Sequence, residues 1–414
     1  MRVSNWAGNH AYPATAWHEP TSIDELCEIV AAAPRIRALG SGHCFNDIVD
    51  SDALVSLDHL PTVMEIDRRR ATVTVTGSVR YGTLATHLHA NGWAVHNLAS
   101  LPHSTVAGAI ATATHGSGDR HPNLAAVVKG LDLVTANGDV RHLDASAPGF
   151  RGSVVGLGAL GVVTAVTLEI EPTYDVAQEV HTGLPWSAAL EHFDEITASA
   201  DSVSLFTDWT GPQVAQVWRK SRVEPVEWRT PDLFGAQPAA GALHPLPGVD
   251  PASTTEQLGV AGPWHERLPH FRMGFTPSAG AELQSEYLVA REHAVAALEV
   301  VRRLADRIAP LLLVSEIRTI AADNLWLSTA YHRDSVGIHF TWRPAPAEVT
   351  ALLPTLEDAL APFDARPHWG KLFADADRHV ADLYPRISDF RVLAEWLDPY
   401  GKFRNDYLER HRLV

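Results

Sequence analysis

The chain has 414 residues, 46% hydrophobic and 20% charged, an ordinary globular composition long enough for two or three average domains. A formal charge of −16, with one short basic run at Arg68-Arg69-Arg70, excludes the clustered positive charge that nucleic acid requires. Two cysteines, Cys27 and Cys44, exclude a disulfide framework or a four-cysteine zinc site. The 22 histidines are scattered without metal-ligand spacing, so no metal centre is expected.

No apolar run reaches the roughly 18 residues needed to span a bilayer, and residues 1–9 lack a charged-then-apolar leader pattern. The expectation is a cytoplasmic protein without membrane contact, for which a monomer suffices.

Residues 35–39 read as a strand running into Gly40-Ser41-Gly42-His43-Cys44-Phe45-Asn46. A glycine-rich turn after a strand exposes successive backbone N–H groups to a pyrophosphate. The third glycine of a Rossmann G-x-G-x-x-G is missing, because Phe45 stands in its place. Residues 54–57 and 71–76 read as strands, and 81–91 as a helix with Leu84 and Leu88 on one face and Gly92 at its end. A second loop of small residues covers 99–118, where backbone can approach a flat ligand closely. Residues 131–136, Asn137-Gly138 and 140–143 read as a hairpin, with Asn-Gly in a type I′ turn. Gly156, Gly158 and Gly161 spell out G-x-G-x-x-G, but they lead into the β-branched run 162–170 rather than a helix, which argues against a Rossmann fold.

From about Tyr174 the pattern changes. Amphipathic helices are expected at 186–198 and 290–308, a long irregular loop at 225–251, and a short turn-like stretch at 399–405. Residues 311–320 form an apolar strand carrying Glu316 and Arg318, which share a face at spacing i, i+2. His339 and Thr341 repeat the device. Gln284 lies in 281–287, and Lys371 follows His368-Trp369-Gly370. Each has a plain structural reading as well: an ion pair on a sheet, a satisfied core histidine, a solvated lysine, polar residues on an exposed strand face.

Taken together, Ser41-Gly42-His43, the loop 102–118 and Gly158-Ala159-Leu160-Gly161 resemble the FAD-binding domain of the vanillyl-alcohol oxidase superfamily. The whole chain, from Asn5-Trp6-Ala7-Gly8-Asn9 through 263–271 and 281–287 to Gly401-Lys402-Phe403, is similar to the alditol oxidase family. That resemblance implies an α+β, two-domain FAD-binding fold with a mixed-sheet substrate domain. Residues 1–175 would bind FAD, 176–374 would bind substrate, and a tail from about 375 to 414 would return to the first domain.

It also implies FAD attached at its 8α carbon to His43, the only tether, since 99–118 contain no cysteine. Cofactor contacts would come from Gly40, Ser41, Gly42, His43, Cys44, Ser100, Thr105, Gly108, Ala111, His115, Gly116, Val163 and Lys371. Ser100, Gln284, Glu316, Arg318, Thr341 and Lys371 would hold a polyol, with Arg318, Lys371 and Glu316 closest to the chemistry. The activity implied is oxidation of a terminal hydroxyl of a polyol such as xylitol or sorbitol, with hydride passing to flavin N5 and O2 reduced to H2O2. A sugar-lactone (aldonolactone) oxidase or dehydrogenase on the same scaffold is the alternative. A cofactor-free sugar-binding protein and a zinc hydrolase are further rivals, weakened by the retention of His43 and Lys371 and by the lack of ligand spacing.

Overall fold

The computed structural model describes residues 3–223, 233–275, 282–374 and 379–414. Near the N-terminus a three-stranded parallel sheet is ordered Ala16–His18, Ala53–Val55, Arg37–Ala38. Parallel neighbours need a crossover. The helix Ile23–Ala32 supplies it, started by Ser22, whose side chain accepts from the Glu25 N–H. Its buried Leu26 and Val30 join Ile36, Val55 and Phe403 in one small core.

Next comes a five-stranded antiparallel sheet, ordered Met64–Asp67, Thr72–Thr76, Val162–Glu169, Val128–Val134, Val140–Asp144. Val162–Glu169 buries every second residue, as its alternating sequence predicts. Here the second glycine run opens a strand and not a helix, in line with rejection of the Rossmann reading. The C-terminal helix Ile387–Leu397 packs Phe390 and Leu393 into the core that contains Val75, Leu131 and Val166.

The largest sheet has nine strands. Its order is Gln237–Pro238, Asp175–Pro185, Gln213–Arg222, Ser202–Thr207, Leu312–Ile320, Ser335–Trp342, Leu283–Ala290, Arg366–Pro367, with Gly262–Pro263 also paired to Asp175–Pro185. All its named pairs are antiparallel; parallel pairing, expected of a mixed sheet, is confined to the isolated bridge of Gly118 with Ile320. One face buries Ile317, Ile338, Tyr287, Leu205 and Val217 against the helices Ala294–Arg302 and Pro346–Leu360. The other face looks toward the glycine loops.

Several local expectations are corrected. The strand at 35–39 is only Arg37–Ala38. In the hairpin at 128–144, Gly138 has positive φ (82°) and Asn137 does not, and the Gly138 N–H bonds to the Thr135 carbonyl. The connection is one residue longer than a type I′ turn and needs a single left-handed residue. The helix expected over 186–198 breaks into Trp186–Glu191 and Phe193–Thr197 at His192, whose ring stacks on Phe234 at 4.3 Å. The helix expected over 290–308 begins as a 3-10 turn at Arg291–His293 and breaks after Arg302. Part of the loop read at 225–251, residues 225–232, lies outside the described residues; the remainder is irregular apart from the edge strand Gln237–Pro238.

Candidate active site

A cavity of about 620 Å³ runs between the glycine loops and the open face of the nine-stranded sheet. Its loop-side wall is made by residues 37–45, Gly77, Ser78, 99–101, 104–105, 107–112 and most of the Gly156–Gly161 turn. Side chains are excluded there by contact. A Cβ on Gly40 would lie 2.6 Å from Thr105 Oγ1, and one on Gly108 2.8 Å from the same atom. Gly42 holds φ +67°, a conformation natural to glycine. Thr105 caps the short helix Val106–Ala111 by accepting from the Gly108 N–H. The result is a long wall where a flat ligand meets backbone directly.

His43 stands on this wall. Its Nδ1 lies 2.9 Å from Ser41 Oγ, which accepts from the Thr105 N–H, and its ring stacks on Trp6 at 5.4 Å. Burial, with smaller contributions from His103 and Arg80, pushes its pKa down to about 4, so the imidazole is neutral at physiological pH. Cys44 packs toward Gly370, and burial raises its thiol to about 11. A thiol so raised stays protonated and unreactive, and the residue packs as a small side chain in the cavity wall.

The opposite wall is polar, and register explains why. Glu286 pairs with His339, His339 with Glu316, and Glu316 with Phe206 across four strands; Gln284 pairs with Thr341, and Arg318 with Gly337. Cross-strand partners share a face, so this whole polar set projects from one side of the sheet. Lys371 enters from the following loop, anchored by Asn46. That amide donates to the Trp369 and Lys371 carbonyls at 2.8 Å each, while the Phe45 N–H donates to Gly370 O. The first glycine loop therefore sets the position of Lys371.

Glu286 is the hub. It accepts from Arg318 Nη2 at 2.8 Å and from Lys371 Nζ at 2.6 Å, with His115 Nε2 at 3.3 Å. Burial alone would raise its pKa, but Arg318, Lys371 and His115 outweigh it and hold the carboxyl well below the usual range. Arg318 also donates to Ser100 Oγ at 3.2 Å and lies 3.6 Å from Glu316. Glu316 is held low in the same way: burial opposes ionisation, and Arg318 and His270 overcome it. Burial lowers Lys371, partly offset by Glu286. Lys371 Nζ sits 2.8 Å from His339 Nδ1, and His339 Nε2 3.0 Å from Thr341 Oγ1. Burial and Lys371 push His339 down to about 4. Among the described charges on this wall, three carboxylates, Glu282, Glu286 and Glu316, stand with two cations, Arg318 and Lys371.

Of the residues expected from sequence, Gly40, Ser41, Gly42, His43, Cys44, Ser100, Thr105, Gly108, Ala111, His115, Val163, Gln284, Glu316, Arg318, Thr341 and Lys371 all line the cavity. Gly116 does not; it packs where a Cβ would strike Leu98 O at 2.5 Å. Sequence reading missed Glu286, Glu282, His270, His368, Asn46 and Arg37. Glu282, Gln284 and Glu286 carry the same i, i+2 signal as Glu316 and Arg318, so Glu286 was open to discovery. The buried Arg37 was not: its guanidinium donates to the carbonyls of Leu157 and Phe403, both remote in sequence. His115, Glu286 and His368 bring potential ligand atoms within 4.8 Å of one another. Two cations already occupy the Glu286 carboxylate, which makes the trio a poor metal site.

A family model described as FAD binding domain matches residues 14–144, and one described as D-arabinono-1,4-lactone oxidase matches residues 281–411. The chain is 48% identical to an alditol oxidase of Streptomyces sp. over 98% of both chains. It is 29% identical to L-gulono-1,4-lactone dehydrogenase of Mycobacterium tuberculosis, again over 98% of both, and 25% identical to L-gulonolactone oxidase of Bos taurus over 99% and 98%. Among solved structures it shares its fold with cholesterol oxidase from B. sterolicum, at TM-score 0.79, 14% identity and coverage of 99% and 96%. With glycine loops, cavity and full-length relatedness in agreement, the chain belongs to the alditol oxidase family of vanillyl-alcohol-oxidase-type flavoproteins.

Proposed function

We propose that the chain oxidises a terminal primary hydroxyl of a polyol, such as xylitol or sorbitol, to the aldose. One observation carries the reading: a buried array of paired charges, donors and acceptors faces a glycine-lined wall that bears a neutral histidine. An uncharged substrate with many hydroxyls suits such an array, since each hydroxyl both donates and accepts. The alditol oxidase relationship supports the same substrate class.

FAD fits the loop wall, where glycine at 40 and 108 keeps the backbone bare and a Cβ at either would strike the capping Thr105 hydroxyl. Gly40, Ser41, Gly42, Thr105, Gly108, Ala111 and Val163 would hold it, with His43 as a single 8α-histidyl tether. Ser41 at Nδ1 and Trp6 on the ring face would hold the imidazole in place for that bond. Bound there, the flavin supplies the hydride acceptor at N5 and returns the electrons to O2 as H2O2.

The chain's own part is to orient the polyol and stabilise charge. Arg318 and Lys371 favour the alkoxide form of the reacting hydroxyl, and Glu286 keeps both cations in place. Glu316 Oε1 is taken by His270; Oε2 has no protein hydrogen-bond partner among the described residues and suits a substrate O–H. Ser100, Gln284 and Thr341 take the remaining hydroxyls. We assign residues 1–175, with the tail from about 375, to FAD binding, and 176–374 to substrate binding. No helix of the described residues is long and apolar enough to cross a membrane; a cytoplasmic monomer, with polyol and O2 as its small-molecule partners, is our reading of the whole.

The alternative is a sugar-lactone oxidase or dehydrogenase, favoured by the family model that matches residues 281–411. The deciding experiment adds xylitol, sorbitol or an aldonolactone anaerobically to purified flavoprotein and follows bleaching of the flavin band. Fast bleaching by alditols supports the polyol reading; bleaching by the lactone alone replaces it.

A further inference from the structure

Glu316 has a partner that neither the sequence nor the proposed chemistry accounts for. His270 Nε2 lies 2.7 Å from Glu316 Oε1, and on the far side of the ring Lys220 Nζ lies 3.0 Å from Nδ1. All three residues are buried. Lys220 stands two strands away on Gln213–Arg222, where Trp218 pairs with Ser204 and Ser204 with Arg318, so it shares the substrate face of the sheet. The His270 backbone N–H donates to the Ser100 carbonyl at 3.1 Å. One segment thus grips both Glu316 and the loop carrying Ser100.

The hydrogen-bond inventory assigns the tautomer. Lys220 Nζ also contacts the carbonyls of Leu268 and Pro269, at 2.5 and 3.2 Å. An ammonium has three donors and no acceptor. Two go to carbonyl oxygens, which only accept, and the third goes to His270 Nδ1, which must then be bare. A neutral imidazole with bare Nδ1 carries its proton on Nε2 and donates it to Glu316. The groups facing His270 are Lys220 from one strand and Glu316 and Arg318 from another. The rings of Phe206, Trp218 and Phe271 close the remaining sides. Burial and Lys220 together push His270 down to about 4, which keeps it neutral, and burial pushes Lys220 down to about 7, leaving an ammonium in mildly acidic solution.

We propose that Lys220 and His270 are positioning residues that lock one oxygen of Glu316 and present the other to a substrate hydroxyl, setting affinity for polyols rather than the rate of the chemical step. The inference rests on the polyol-oxidase reading of the same cavity. Nothing in it requires either side chain to touch substrate.

The test uses flavin-loaded protein at pH 6 and has two arms. Ring 15N NMR on histidine-labelled resting enzyme, with His270 assigned by its loss in His270→Gln, should show a neutral ring protonated at Nε2. Steady-state kinetics with xylitol should show KM raised about tenfold in Lys220→Met and His270→Leu, with kcat within about twofold. His270→Gln, whose amide still donates toward Glu316, should recover most of that loss. A wild-type ring protonated at Nδ1, or charged, overturns the proposal even if Lys220→Met and His270→Leu fail to fold. So does an equal KM rise in His270→Gln and His270→Leu, or a fall in kcat at constant KM. Failure of the polyol reading is separately visible, as an unbleached flavin with xylitol and an unchanged NMR result.

Discussion

Lys371 belongs to a loop, yet three elements fix its ammonium: Glu286 on one strand, His339 on the next, and Asn46 of the first glycine loop beneath its backbone. Lys371→Met removes one of two charges proposed to stabilise the alkoxide. We expect kcat with xylitol to fall by about 10²-fold, the usual effect of deleting one preorganised donor, with KM changed far less. Unchanged turnover would remove Lys371 from the chemistry. Glu286→Leu acts differently, because it strands two buried cations. Breaking a buried pair by removing one partner costs about 3–5 kcal/mol. Denaturant unfolding should report that loss, whereas Glu286→Gln, which keeps acceptor capacity, should lose less. His43→Ala should give protein whose yellow colour, if any is bound, passes into the supernatant on acid precipitation. Colour retained in the pellet would rule out His43 as tether.

The strand Leu312–Ile320 shows how much of the site a single element encodes. Its i, i+2 pair of charges is legible in sequence because period two survives any tertiary context. The partners of that pair are not legible. That Glu316 lies beside His339 and Arg318 beside Gly337 depends on register between strands some 20 residues apart, and a one-residue slip would send Glu316 into the apolar core. For the same reason the glycine loops could be recognised while the Asn46 clamp on residues 369–371 could not. The breaks at His192 and after Arg302 were hidden too, since neither site carries a glycine or proline; packing ends those helices, as in the His192 stack on Phe234. Gly337 offers a test of register. A Cβ there would lie 2.9 Å from Glu286 Oε1, so Gly337→Ala must displace the hub carboxylate. We expect a drop in kcat/KM approaching that of Lys371→Met with the flavin spectrum retained. Wild-type kinetics would show that Glu286 tolerates the shift and is not held as described.

At the scale of the whole molecule, buried titratable groups shape the pH range of stability. His96, His270 and His339 are each pushed from 6.5 to about 4, chiefly by burial. Below pH 6.5 the unfolded chain takes up these protons and the native state does not, so stability is present above 6.5 and lost as pH falls toward 4. Each such histidine contributes about 1.4 kcal/mol per pH unit in that window. Glu286, held well below 4.5 in the native state, extends the loss at lower pH. Lys220, lowered from 10.5 to about 7, has the same sign on the alkaline side: stability rises with pH between 7 and 10.5. Tyr12, Tyr81, Tyr174 and Tyr384 oppose it. Burial raises all four above 10, so above that pH the unfolded chain sheds protons the native state retains, and stability falls. The sum is a dome of stability lying between about pH 7 and 10, with a steep acid limb. His96 isolates one contribution, because it lies half-buried away from the cavity with Pro122 O at 3.3 Å as its partner. In flavin-loaded His96→Gln, the slope of unfolding free energy against pH between 4.5 and 6 should be shallower than wild type by about 1.4 kcal/mol per unit. Equal slopes would mean that His96 is protonated in the native state and that the acid limb arises from the carboxylates alone.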